Sequence, residues 1–94
     1  MIAVVARYRV TEGKADEVAR ELATYAEEVR TEPGCVTFVA NRGIEDDHEF
    51  VLYEVYEDRD ALDAHVASEH YEAVAVGRIR PLLADRQVTL LTPL

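Results

Sequence analysis

The alternation of apolar and polar residues divides the first half of the chain into a strand and a helix. Residues 2–10 alternate with a period of two, and the face that starts at Ile2 is apolar throughout. This pattern predicts a β-strand. In residues 15–29, apolar side chains recur at spacings of three and four. That spacing predicts an amphipathic helix, which the Glu-Pro-Gly sequence at 32–34 ends.

Three further strands are predicted by the same reasoning. Residues 35–42 and 49–56 alternate and are separated by a short polar loop. A loop of this length predicts that the two strands form an antiparallel hairpin. A last strand is predicted over residues 87–91, before Pro93.

The region between the hairpin and the last strand has the pattern of a broken helix. Asp58 is the predicted N-cap of a segment over residues 59–67, and Ser68 is the predicted cap of a second segment over residues 69–84. Gly77 and Pro81 weaken the interior of the second segment. Its predicted apolar stripe consists of Ala73, Val76, Ile79, Leu82 and Leu83.

The resulting order, β-α-β-β-α-β, predicts an α+β protein of the ferredoxin-like class. A single domain over residues 1–94 would contain a four-stranded antiparallel sheet with two helices on one face. The first strand is apolar on both faces in its first half, whereas the helices can cover only one face. We therefore expect a homodimer in which two sheets pack face to face.

Charge and cysteine content narrow the possible partners and compartment. The chain has 10 basic and 19 acidic residues, a net charge of -9, which argues against nucleic acids and anionic membranes as partners. The lone cysteine, Cys35, excludes an internal disulfide framework and a four-cysteine zinc site. A lone thiol, with no signal peptide and no membrane-spanning apolar run, predicts a cytoplasmic protein.

An ordered set of short motifs extends over most of the chain: Glu32-Pro33-Gly34-Cys35, Phe50 to Tyr56, Asp58, Ala61-Leu62, Ala64-His65, Ser68 and His70. Together these motifs resemble the antibiotic biosynthesis monooxygenase family, and in particular its small quinol-monooxygenase-like branch. The resemblance implies a dimeric α+β barrel that oxidises a small phenolic, quinol or polyketide-like aromatic compound with O2, without a metal or prosthetic group. The heme-degrading branch of the family is not indicated, because the chain has no tryptophan and has Val74 near the position of the heme-ligating histidine.

Two polar residues are the predicted catalytic pair. Glu54 lies on the otherwise apolar face of the third strand, where a carboxylate needs a partner. His65 lies on the helical segment that follows, so we expect a Glu54–His65 hydrogen bond that orients the imidazole. His65 would then remove the proton from a phenolic hydroxyl. The alternative role for this pair is a structural clamp between helix and sheet.

Four other residues are predicted substrate contacts. His70 and Tyr71 follow Ser68, and the alternatives for them are a helix-start residue at the pocket rim and a core tyrosine. Asn41 and Arg7 are polar strand residues that would line either the pocket or the dimer interface. The histidines and Glu69 lack a standard zinc spacing, so no metal site is predicted.

Three functional hypotheses follow from the sequence. The first is a cofactor-independent monooxygenase acting on a small aromatic compound. The second is an isomerase of a small oxygenated metabolite, and the third is a non-catalytic ligand-binding dimer. Oxygen uptake with quinols distinguishes the first hypothesis from the other two.

Overall fold

An antiparallel four-stranded sheet carries all the helices on one of its faces. The computed structural model describes the whole chain, residues 1–94, and the strand order in the sheet is β2-β3-β1-β4. This arrangement confirms the predicted ferredoxin-like fold. The elements are β1 (Ile2–Val10), α1 (Ala15–Val29), β2 (Cys35–Arg42), β3 (Glu49–Tyr56), α2 (Arg59–Val66), a π-helix (Tyr71–Ile79), a 3-10 turn (Arg80–Leu82) and β4 (Leu83–Leu91).

The first helix follows the predicted apolar stripe. Gly13, with φ of 83°, turns the chain from β1 into α1 in the left-handed region that glycine tolerates best. Asp16 and Glu17 lie in the first turn, where acidic side chains interact favourably with the helix dipole. The buried residues of α1 are Ala15, Val18, Leu22, Tyr25, Ala26 and Val29.

None of the helices has the length and apolar character that spanning a membrane requires.

Both predicted caps on the second half of the chain are confirmed. Asp58 Oδ1 accepts a hydrogen bond from the backbone N–H of Ala61 at 2.8 Å. Ser68 Oγ accepts one from the backbone N–H of Tyr71 at 3.2 Å and donates one to the carbonyl of His65 at 2.7 Å. Ser68 therefore fixes the corner between α2 and the π-helix and sets His65 and Tyr71 on either side of it.

The predicted helical segment over residues 69–84 is present and shortens near Pro81 as expected, but it is a π-helix and not an α-helix. The chain forms a π-helix over Tyr71–Ile79 and then a 3-10 turn that contains Pro81. A π turn closes i→i+5 hydrogen bonds and holds more residues than an α turn, so the inward-facing positions differ from the predicted stripe. Ala75 and Ile79 are buried, whereas Ala73 is exposed.

The last strand is longer than predicted. It begins at Leu83, not at residue 87, and pairs with β1 from Val10↔Leu83 to Ala3↔Leu91. A register shift between Arg9 and Val10 accommodates the first pair. The polar residues at 85–87 give no apolar alternation, and backbone pairing with β1 extends the strand across them.

The two faces of the sheet differ in how completely they are covered. Even-numbered residues of β1 and β3 face the helices, and the core includes Phe50, Leu52 and Tyr8. On the opposite face Tyr53 is 43% exposed, Val39 42% and Leu91 45%. The helices therefore cover one face of the sheet and leave an apolar area on the other.

Candidate active site

A cavity of about 400 Å3 lies between the helix-facing side of the sheet and the helices. It opens over β4, where Val88 and Leu90 are 40% and 48% exposed because no helix covers them. Its volume is in the range of small-molecule sites. The other lining residues are Val4, Ala6, Tyr8, Tyr25, Leu52, Glu54, Arg59, Leu62, Asp63, His65, Val66, Ala67, Tyr71, Ala75, Arg80 and Arg86.

His65 contacts the carboxylate of Glu32, a residue that was not among the predicted site residues. Its Nδ1 lies 2.9 Å from Oε2 and 3.1 Å from Oε1 of Glu32. Because an ionised carboxylate only accepts hydrogen bonds, Nδ1 carries the proton and donates it to Glu32. The other ring nitrogen, Nε2, is then unprotonated and can take up a proton, as a general base requires; the Tyr25 hydroxyl is its hydrogen-bond partner at 3.4 Å.

Glu32 reaches His65 because the loop after α1 passes unusually close to α2. A Cβ atom on Gly34 would lie 2.3 Å from the Cβ of Ala61, so only glycine fits at this point. The backbone carbonyl of Gly34 also accepts a hydrogen bond from Glu57 N–H at 3.0 Å. These contacts bring the loop against α2 and place Glu32 beside His65.

The predicted Glu54–His65 hydrogen bond is not present. His65 Nε2 and Glu54 Oε1 are 3.8 Å apart, which is beyond hydrogen-bond range. The nearest hydroxyl to Nε2 is that of Tyr25, at 3.4 Å. Glu54 Oε1 instead accepts a hydrogen bond from Tyr56 at 2.7 Å, two residues along the same face of β3. The two predicted catalytic residues are therefore neighbours in the cavity wall without a direct bond.

Glu54 is a buried carboxyl group whose environment favours the neutral acid. Burial raises the pKa of Glu54 above its ordinary value, and the hydrogen bond from Tyr56 and the charge of His65 only partly oppose this. The residue is 6% exposed. Because burial disfavours the carboxylate, Glu54 is suited to hold and donate a proton.

His70 and Tyr71 have different positions relative to the cavity. His70 does not line it, so the prediction that His70 contacts substrate there is not supported; its Nε2 lies 2.5 Å from Glu32 Oε2, on the side away from the cavity. Tyr71 does line the cavity and accepts a hydrogen bond from Arg80 Nη2 at 2.6 Å. The turn at Ser68 thus joins both histidines to one carboxylate and directs Tyr71 into the cavity.

Arg7 and Asn41 do not belong to this cavity. Both are exposed, and both lie on the sheet face opposite the helices. Arg7 forms an ion pair with Glu49 at 3.6 Å, and Asn41 Nδ2 donates to the carbonyl of Val51 at 3.1 Å. The prediction that they line this pocket is wrong, because alternate residues of a strand point to opposite faces. Their alternative location, a dimer interface, is still open.

The residues best placed to hold a metal ion are Glu32, His65 and His70. One ligand atom from each lies within 4.8 Å of the other two. Glu69, which the sequence analysis weighed with the histidines, is exposed and takes no part. Hydrogen bonds from both imidazoles to Glu32 already satisfy the three groups without an ion.

Comparison with known proteins places the chain in a family. The sequence model described as antibiotic biosynthesis monooxygenase matches residues 1–76. A curated relative, the uncharacterized protein sll1783 of Synechocystis, is 30% identical over 70 residues. The match covers 74% of this chain and 48% of the relative, so the chain spans about half the length of that protein.

Solved structures share the whole fold. A Nitrosomonas europaea protein, named as a candidate antibiotic biosynthesis monooxygenase, has a TM-score of 0.94 and 24% identity over 100% of this chain and 99% of that one. A crystal structure of an antibiotic biosynthesis monooxygenase has a TM-score of 0.92 and 29% identity over 100% and 99%. Rv0793 of Mycobacterium tuberculosis has a TM-score of 0.89 and 31% identity over 99% and 94%.

Proposed function

Because the chain belongs to the antibiotic biosynthesis monooxygenase family, we propose that it is a monooxygenase that oxidises a small phenolic or quinol-type aromatic compound with O2. The match to the family and its monooxygenase-named structural neighbours support a monooxygenase-type role. The observation that carries the proposal for this chain is the contact between Glu32 and His65, which leaves an unprotonated ring nitrogen on the wall of a largely apolar cavity.

In the proposed reaction, His65 Nε2 takes the proton of a phenolic hydroxyl. Glu32 stabilises the imidazolium that forms, because its carboxylate already accepts from Nδ1. The substrate becomes an electron-rich phenolate in a cavity lined mostly by apolar side chains. His65 is thus the proposed catalytic residue, and Glu32 is the proposed positioning residue.

The substrate itself supplies the electrons for O2. One ring carbon exchanges a hydrogen for an oxygen atom and the quinol becomes a quinone, a loss of four electrons that reduces both atoms of O2. One oxygen enters the product and the other leaves as water. Tyr25 and Glu54 lie near Nε2, at 3.4 Å and 3.8 Å, and Glu54 is suited to return a proton to the leaving oxygen.

An oxygen electrode tests this proposal. Purified protein is mixed with a series of hydroquinones, with and without EDTA, and O2 uptake is compared with the uncatalysed rate. The proposal predicts protein-dependent uptake that EDTA leaves unchanged. Uptake abolished by EDTA and restored by a divalent metal would instead assign Glu32, His65 and His70 to a metal site.

The pair of Glu54 and His65 favours a second candidate function, an isomerase. Glu54, whose pKa is raised by burial, and His65 Nε2 lie 3.8 Å apart on one cavity wall, so one group can remove a proton from a substrate carbon and the other can return a proton to another carbon. This function predicts conversion of substrate under argon at the same rate as in air. Ligand-dependent thermal stabilisation with no turnover would instead indicate a binding protein.

We also propose that two copies pair through the uncovered sheet face. The support is the apolar area formed there by Tyr53, Val39, Leu91 and their buried neighbours Ala3 and Val55. Sedimentation at micromolar concentration should give twice the mass of the 10.6 kDa chain. Tyr53→Glu should give the single-chain mass without loss of secondary structure, and a wild-type monomer would contradict the pairing.

A further inference from the structure

The cavity mouth is basic in a chain that is otherwise strongly acidic. Three of the ten basic residues line the cavity: Arg59, Arg80 and Arg86. The only acidic residues that line it are Asp63 and Glu54. Asp63 is already paired with Arg59, at 3.4 Å, which leaves Arg80 and Arg86 facing a single further carboxyl group, that of Glu54. The acidic character of the chain therefore does not extend to this site.

Arg80 and Arg86 form no ion pair within 4.0 Å, although the positive charge of Arg86 acts on Glu54 and opposes the rise that burial causes in its pKa. None of the ion pairs within 4.0 Å includes either guanidinium, whereas Arg7, Arg9, Arg42, Arg59 and Arg78 each pair with an acid. Arg20 and Arg30 form no ion pair either, so the absence of an ion pair does not by itself mark a site. Arg80 and Arg86 differ from those two because both line the cavity, where a ligand anion can reach them.

Arg80 is also held in position. Its Nη2 donates to the hydroxyl of Tyr71 at 2.6 Å, and its guanidinium carbon lies 5.5 Å from the centre of the Tyr71 ring. This contact uses one of the five N–H groups of the side chain and fixes its plane. The remaining donors are free, so Arg80 can form paired hydrogen bonds to a planar anion.

Arg86 lies next to the apolar part of the cavity wall that Val88 and Leu90 form. It lies on the helix-facing side of β4 with Val88 and Leu90, since all three are at alternate positions of that strand. Its charge opposes the rise that burial causes in the pKa of Tyr8, so its guanidinium is close to that hydroxyl. A flat apolar ligand on Val88 and Leu90 would therefore present one end to Arg86.

We propose that the ligand of this cavity is an aromatic carboxylate, whose ring occupies the apolar part and whose carboxylate binds Arg80 and Arg86. The proposal rests on the proposed function for the reacting end of the ligand, a phenolic hydroxyl at His65. It adds a substrate class: a hydroxylated benzoate in preference to a neutral quinol. The carboxylate is chosen because its two oxygens match the forked geometry of a guanidinium.

The test compares two probes that differ only in the carboxylate. Hydroquinone and 2,5-dihydroxybenzoate are titrated under argon, with the shift in unfolding temperature as the readout. The wild type should bind 2,5-dihydroxybenzoate at least roughly tenfold more tightly than hydroquinone, with a preference that weakens as salt rises. Equal binding of the two probes, or equal stabilisation by inorganic phosphate alone, would overturn the proposal.

Single substitutions of the arginines test which side chains cause the preference for the carboxylate. Arg80→Gln and Arg86→Gln should each reduce the ratio of 2,5-dihydroxybenzoate affinity to hydroquinone affinity by roughly tenfold. Arg78→Gln is the matched control, because Arg78 lies two residues from Arg80 but pairs with Glu21 outside the cavity. If Arg78→Gln reduced the preference for the carboxylate as much as Arg80→Gln and Arg86→Gln do, the proposal would also be overturned.

The binding test of the anion site and the O2-uptake test of the monooxygenase can fail independently. Binding is measured without O2, so selective binding of the carboxylate with no later O2 uptake would support the anion site and reject the monooxygenase. Uptake of O2 with hydroquinone and no preference for the carboxylate would do the reverse.

Discussion

The two faces of the same sheet carry polar residues with opposite consequences. On the outer face, Arg7 forms an exposed ion pair with Glu49, and such pairs contribute little to stability. On the helix-facing side, Glu54 is buried, and its only hydrogen-bond partner is Tyr56. In the sequence, both residues are polar positions within a strand. A polar strand residue therefore becomes a candidate for chemistry only when the helices bury it, because burial removes the water that would otherwise solvate it.

The largest expected difference between the faces is in catalysis. His65→Gln should lower kcat by about 10²- to 10⁴-fold, because the base that takes the phenolic proton is lost. Arg7→Gln, on the outer face, should leave kcat unchanged. The measurement is O2 uptake with the best quinol, accompanied by the unfolding temperature of each variant. A folded His65→Gln protein with full turnover would remove His65 from the mechanism.

The next effect concerns the residue that orients His65. Glu32→Gln should lower kcat by about 10- to 100-fold and leave KM nearly unchanged, since substrate binding does not use Glu32. Glu27→Gln, on the exposed side of α1, is the control. Glu32→Asp should recover part of the rate. A fall in stability with no change in kcat would show that Glu32 has only a structural role.

The close contact between Gly34 and Ala61, which places Glu32 beside His65, can be tested separately. Gly34→Ala should lower the free energy of unfolding by about 1–3 kcal/mol, because its Cβ would lie 2.3 Å from that of Ala61. Adding Ala61→Gly should recover part of the loss. Chemical denaturation of the two single variants and the double variant measures the coupling. Additive losses would show that the two sites are independent.

The smallest predicted effect is on the pH dependence of stability. Because the pKa of Glu54 is raised in the folded state, that state holds a proton more tightly than the unfolded chain. The contribution is fully present below the ordinary value of 4.5 and is lost as the pH rises through the folded pKa. Glu54→Gln should therefore reduce the decline in unfolding free energy above pH 4.5. An unchanged pH profile would contradict the assignment of a raised pKa.

Much of the fold could be predicted because local signals agree with the tertiary structure. The alternation of β1 and the stripe of α1 match their burial, and Asp58 and Ser68 act as caps. The π-helix could not be predicted, because its apolar residues fit an α-helix equally well.

The site was only partly predictable for a different reason. His65, Glu54 and Tyr71 could be selected as polar or aromatic residues near the centre of the fold, and all three line the cavity. Glu32 is thirty-three residues from His65 and lies in a common helix-stop sequence. One signal was available, since a carboxylate just after a helix C-terminus is unfavourable for the helix dipole and suggests a specific partner. Sequence spacing gave no means of naming that partner.

The most direct test of the central claim is to follow both atoms of labelled O2 during turnover of 2,5-dihydroxybenzoate or hydroquinone. Mass spectrometry of the product and of the water formed should find one labelled oxygen atom in each, at a rate that His65→Gln reduces. A product with no label would contradict the monooxygenase, and so would a product that carries both labelled atoms.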